Sequence, residues 1–209
     1  MGSIVVYGAG GRAGRAVVTE ARRRGYAVTA VVREPARHAD LAAGGVRLVA
    51  GDVTDADAVA AAGRGHDAAV SAVYDAVADQ STFFAAAGTA LVTGLTAVGV
   101  PRVVSVGLAS VLPTASGTPL MDTAGYPTGY RTFFLGHAAG TAALAAGTLD
   151  WLVLSPSGDF DHDGHPTGRY RVAPGDAAAR ITYPDFAVAV LDEIAAPAYH
   201  RTHVGVTSG

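Results

Sequence analysis

The sequence predicts an α/β fold built on a doubly wound parallel sheet, and three observations carry that prediction. Short runs of β-branched residues alternate with helical stretches along nearly the whole chain. The first such unit, residues 3–33, breaks between strand and helix at Gly8-Ala9-Gly10-Gly11-Arg12-Ala13-Gly14. Half of the 209 residues are hydrophobic and only 16% are charged, which suits one sizeable core and argues against disorder.

The elements follow in order. Residues 3–7 (S-I-V-V-Y) form the first strand, 15–24 the first helix and 26–32 (Y-A-V-T-A-V-V) the second strand. In the loop between them Gly8 permits the tight turn. Gly11 lets backbone approach a pyrophosphate, and Gly14 allows close packing of helix on strand. The helix start then offers its N–H groups, and the favourable end of its dipole, to phosphate. Gly10, Arg12 and Ala13 complete the predicted cradle.

Strand three is predicted over 46–49, a helix over 56–62 capped by Thr54 or Asp55, strand four over 67–73 and a helix over 79–99. Strand five covers 101–106 and strand six 149–154, after a helix opening near Tyr130. Short strands at 180–182 and 204–207 flank a last helix over 185–195. No internal repeat or linker interrupts the series, so one domain over 1–209 is expected.

Several function classes are excluded or disfavoured by composition. The chain lacks cysteine, so no disulfide, thiolate nucleophile or cysteine metal site exists. All 15 basic residues are arginine, so no reaction can use a lysine. A net charge of −3 gives no reason to expect nucleic acid or an anionic membrane as partner. No apolar run reaches about 18 residues, and the first strand begins without a leader, so the expected location is the cytoplasm.

Candidate binding residues cluster at the strand ends, where open α/β sheets hold ligands. Arg33 ends strand two, and Arg37 follows one helical turn later if a helix starts at Pro35. Two such cations suit the 2′-phosphate of NADP; the neighbouring Glu34 suits the 2′-hydroxyl of NAD, and NADPH is favoured. Asp52 and Val53, at the end of strand three, are placed to meet the adenine. Ala72-Val73-Tyr74, Ser105-Val106-Gly107 and Ser155-Pro156-Ser157 are expected to converge on the edge where a nicotinamide would lie, with Ser105 and Ser157 as hydrogen-bond partners. Residues 107–131, rich in Gly, Pro and Thr, read as a loop carrying Met121, Tyr126 and Tyr130 toward Phe133 and Phe134, a cover for a flat substrate. Asp161, His162, Asp163 and His165 have no zinc spacing, so 159–170 reads as a substrate-side loop without metal.

These pieces together resemble the atypical short-chain dehydrogenase/reductases, most nearly the NADH-flavin reductase-like and biliverdin reductase B-like groups. The resemblance rests on G-A-G-G-R-A-G (8–14), V-V-R-E-P-A-R (31–37), G-D-V-T-D (51–55), G-V-P-R-V-V-S-V-G (99–107), L-D-W-L-V-L-S-P (149–156), T-G-R-Y-R (167–171) and D-F-A-V-A-V-L-D-E (185–193). It implies a Rossmann fold with a small C-terminal substrate lobe over about 157–209, NADPH as cofactor, and reduction of flavins or similar conjugated rings by a monomer or homodimer. The Tyr-x-x-x-Lys pair of the main family is absent, since no lysine is present. His137, on the helix before strand six, is then the titratable group best placed to assist protonation. A non-catalytic NADP(H)-binding sensor resembling NmrA-like regulators, or a tailoring reductase or isomerase, are the alternatives.

Overall fold

The computed structural model describes residues 2–209. The described residues form ten strands and five α-helices, in order β1 (Ser3–Tyr7), α1 (Arg12–Arg23), β2 (Ala27–Val32), β3 (Arg47–Ala50), α2 (Ala56–Gly63), β4 (Ala68–Ser71), α3 (Phe83–Ala97) and β5 (Arg102–Val106). Then come α4 (Arg131–Ala145), β6 (Asp150–Pro156), β7 (Asp159–Asp161), β8 (Tyr170–Val172), β9 (Arg180–Thr182), α5 (Tyr183–Ala195) and β10 (Thr202–Ser208). The main sheet runs β3-β2-β1-β4-β5-β6-β10-β8, parallel throughout except where β8 joins β10 antiparallel. Its first six strands have the Rossmann order, with the reversal between β1 and β4.

Alternation along each strand sends apolar residues to two cores. Ile4, Val6, Val104, Leu152 and Leu154 face α1 and α5, whose Val17, Val18, Phe186, Val190 and Leu191 complete that layer. Val5, Tyr7, Val103, Trp151 and Val153 face the other way, toward Val59 of α2, Leu91 and Leu95 of α3 and Leu144 of α4. Each fully buried side chain of this size contributes about 1.5–3 kcal/mol.

The structure departs from the sequence expectations at element ends and in the C-terminal third. Helix α1 begins at Arg12, three residues early, because Gly11 itself is the N-cap. Helix α3 begins only at Phe83: Asp79 spends its carboxylate on the N–H and hydroxyl of Ser81, a local turn that competes with helix. Residues 107–131 contain two short 3₁₀ turns, Ala109–Val111 and Leu120–Asp122, and a bridge between Pro113 and Pro119. Their Leu112 and Leu120 are buried.

The segment 159–170 begins in β7 and ends at β8, with β7 pairing β9 in a second small sheet. Asp185, 1% exposed at the start of α5, accepts from the N–H groups of Thr167 and Gly168 and from the Thr182 hydroxyl. That carboxylate ties the T-G-R-Y stretch to α5 and accounts physically for both C-terminal motifs. Among the described residues, no helix is long and apolar enough to cross a membrane, and no group of three or more His, Asp or Glu side chains is arranged to hold a metal ion.

Candidate functional site

A cleft of about 490 Å³ opens at the carboxyl ends of β1, β2, β3 and β4, at the switch point of the sheet. Gly8, Gly10 and Gly11 form its floor, with Val31, Val32 and Arg33 from β2 and its end, Asp52 and Val53 beyond β3, and Ala72, Val73 and Tyr74 beyond β4.

The cradle fits a dinucleotide's pyrophosphate. Gly8 has φ +75, and a Cβ there would stand 2.4 Å from the Ala72 carbonyl oxygen. A Cβ on Gly14 would stand 2.3 Å from the Gly8 carbonyl oxygen, so α1 packs directly on the loop. Gly11 is different: its exposed face has no atom nearer than 3.6 Å, leaving backbone approachable from the cleft. The start of α1 has no side-chain cap and no acidic residue in its first turn, whereas α2 and α5 are capped by Asp55 and Thr182. An uncapped helix start beside a glycine floor favours an anion. Ala13 lies in that first turn, and Arg12 reaches away from the cleft floor to His162, Nη1 to Nδ1 at 2.6 Å.

At the end of β2, only one of the two cations singled out in the sequence lines the cleft. Arg33 lines the cleft and forms an ion pair with Asp75 across it. Arg37 does not line it: its guanidinium turns back to Glu34 at 2.9 Å, because residues 35–45 wind as a kinked 3₁₀ segment rather than an α-helix. Glu34 is thereby spent as well. His38 takes the place expected for Arg37, lining the cleft beside Gly10. Asp52 accepts from Thr54 through Oδ1; its Oδ2 makes no hydrogen bond among the described residues.

Past Val73, which lines both spaces, lies a smaller hollow of about 30 Å³ walled by Ser71, Phe84, Leu91, Ser105, Gly107 and His137. His137 lies against Phe84 with ring centroids 3.7 Å apart, and edge-on to Phe133 at 4.8 Å. Tyr74, 62% exposed, meets Phe133 edge-on at the rim. Burial pushes His137 down to about 4, with the nearby His203 adding to the effect. The expectation of a proton donor with an ordinary histidine pKa is therefore corrected: at neutral pH this imidazole is uncharged.

Ser105 lines the hollow and not the glycine cleft. Ser157 lines neither. It is 1% exposed and donates to the Ala173 carbonyl oxygen at 3.0 Å, since β10 and the chain leading out of β8 cover the end of β6. Pro156 lines neither space, being paired into the sheet opposite Val206. Ser155, expected at the same edge, lines neither space; it contacts His203 at 2.7 Å, and burial pushes that histidine down to about 4 too.

Comparison with known proteins agrees with this geometry. A protein of Bacillus subtilis strain 168, the uncharacterized YwnB, is 32% identical over 98% of both chains. A solved structure from Burkholderia pseudomallei, provisionally named an exported protein, is 33% identical with a TM-score of 0.85, covering 99% of this chain and all of that one. Another, provisionally named an NADH-flavin reductase, from Streptococcus pneumoniae TIGR4, is 25% identical with a TM-score of 0.85 and covers both chains fully. The family profile described as NAD(P)H-binding matches residues 8–197, from the first glycine of the cradle to the end of α5. The chain belongs to the NAD(P)H-binding family.

Proposed function

We propose that the chain is an NAD(P)H-dependent reductase that passes hydride from NADPH to a flavin or similarly planar conjugated acceptor. The observation that carries this reading is the aromatic hollow that shares Val73 with the glycine cleft and whose one titratable lining side chain, His137, is kept uncharged by burial. Bound in the cleft, a reduced nicotinamide supplies the hydride. The chain supplies position and dryness: backbone N–H groups for the pyrophosphate, Ser105 as a hydrogen-bonding hydroxyl, Phe84 and Phe133 as ring contacts. No lysine can act with a tyrosine as general acid, so the acceptor is one that takes hydride first and draws its proton from solvent. The commitment of Glu34 to Arg37, with Arg33 in the cleft, supports NADPH over NADH. The similarity to the pneumococcal protein named an NADH-flavin reductase supports the acceptor class.

Oxidation of NADPH and NADH followed at 340 nm, with FMN, FAD and riboflavin as acceptors, tests the proposal. Flavin-dependent turnover with NADPH preferred is the expected result. Tight NADPH binding without turnover on any flavin, quinone or tetrapyrrole would replace it with a cofactor-sensing role, and absence of binding would overturn it altogether.

A further inference from the structure

We propose that His38, held over the glycine loop by Arg15, is the residue that distinguishes NADP(H) from NAD(H), acting together with Arg33. This rests on the NADPH reading above and adds a residue that the sequence spacing does not point to. His38 sits at a kink of the 3₁₀ segment (φ −132, ψ 27) and lines the same cleft as Arg33. Its ring lies on Gly10, where a Cβ would stand 2.7 Å from Nε2 and 2.6 Å from Cε1, so only a glycine there leaves room for it.

Arg15 makes the arrangement directional. Its Nε donates to the Gly10 carbonyl oxygen at 3.0 Å, its Nη1 pairs with Asp40, and its Nη2 lies 3.2 Å from His38 Nδ1. A guanidinium can only donate, so in this contact Nδ1 accepts and the ring's hydrogen is carried on Nε2. That N–H has no acceptor among the described residues. The ring lies against the glycine loop, in the cleft that the end of β2 also lines, and these two elements bracket an adenosine ribose in this fold. The charged groups around it are Arg15 and Asp40, with Arg33, Asp52 and Asp75 lining the same cleft.

Discrimination follows from the donor set. A 2′-phosphate accepts a charge-assisted bond from Nε2–H and a second from Arg33, each about twice as strong as a bond between neutral partners. A 2′-hydroxyl gains far less from two donors and is better served by a carboxylate, and Glu34 is turned away to Arg37.

Calorimetric titration of NADP⁺ and of NAD⁺ into the full chain tests this without depending on turnover. His38→Ala is expected to weaken NADP⁺ about tenfold, the loss of one hydrogen bond to a charged group, while NAD⁺ changes by less than about twofold. His38→Gln, which keeps an N–H donor, is expected to recover part of the loss. Arg15→Gln loosens the ring's hold and is expected to produce a smaller loss, again selective for NADP⁺. These two variants decide the matter if the alanine variant does not fold. Equal losses for both dinucleotides, no loss, or a loss on Arg37→Ala as large as on His38→Ala would overturn the proposal. Wild-type chain that binds NADP⁺ no more tightly than NAD⁺ would instead remove the NADPH reading on which it stands, a different and recognisable failure.

Discussion

Around the glycine loop the crevice is walled by backbone, at Gly8, Gly10, Gly11 and Ala72, with Gly14 packed against Gly8, whereas the hollow past Val73 is walled by side chains, at Phe84, Ser105 and His137, with Phe133 edge-on to the histidine. The first wall binds through peptide N–H groups whose positions follow from chain geometry, so any side chain added there collides with main chain. The second wall binds through packing and burial, and its character is set by which side chains fill it. One half therefore fails abruptly when altered, and the other is graded and sensitive to pH.

The largest effect is expected at Gly14. A valine there places Cβ 2.3 Å from the Gly8 carbonyl oxygen and 2.8 Å from the Ala9 Cα, neither of which can rotate aside. Helix α1 must lift from β1, at a cost of about 3 kcal/mol or more. Gly65→Ala is the matched control: φ is +78 but no atom lies within 4 Å of the added Cβ, so only the left-handed strain of about 1–2 kcal/mol applies. Urea unfolding of both variants checks the ordering. A Gly14→Val chain as stable as Gly65→Ala would show that the loop is not the rigid floor described.

Next in size is the pH dependence of the side-chain wall. His137 and His203 are both pushed down to about 4, first by burial. An unfolded histidine titrates near 6.5, so between about pH 6.5 and 4 the unfolded chain holds protons that the folded chain refuses. Stability present above pH 6.5 is lost as the pH falls through that window. At pH 5 the loss is up to about 2 kcal/mol per histidine at 1.36 kcal/mol per unit, and less than twice that for the pair, because His137 is lowered in part by His203. The main low-lying carboxylate, Glu20, is held down to about 2 by hydrogen bonding from Arg23, so its contribution is lost only at lower pH. Urea midpoints at pH 7 and pH 5 should therefore differ, and by less in His137→Phe. Identical midpoints in the wild-type chain would mean that these rings are not held neutral.

The same contrast explains what could be read without coordinates. The backbone wall was legible because its requirements are local: glycines at 8, 11 and 14, between a β-branched run and a helix, leave few alternatives. The side-chain wall depends on contacts distant in sequence. Ser157 looked available at a strand end, and only the pairing of β6 with β10, about fifty residues later, shows it buried. His137 was legible as a position but not as a neutral group, since Phe84 packs on it and His203 adds a like charge, both from other elements. Arg37 was misplaced because Pro35 suggests a helix start, while the segment winds as 3₁₀ with glycines at 44 and 45 in left-handed conformation. Strands β7 and β8 have three residues each, too few for any alternation to register.

The smallest and most discriminating effect concerns Asp75, which faces the cleft from beyond β4 and pairs with Arg33 from β2. Its carboxyl is held below the usual range first by the Val77 N–H and further by Arg33. Asp75→Asn keeps an oxygen to accept from Val77 but puts an amide where Oδ2 met the guanidinium. It removes a negative charge beside the proposed phosphate site and leaves Arg33 uncontested. NADP⁺ should then bind about two- to fivefold more tightly, the size of an exposed charge effect, with NAD⁺ nearly unchanged. Raising the ionic strength from 0.05 to 0.5 M should shrink that gain, because screening acts on exposed charges. Weaker NADP⁺ binding in Asp75→Asn would show the opposite: Asp75 would be holding Arg33 in the posture that receives the phosphate, and the pair would belong to the binding wall rather than compete with the ligand for it.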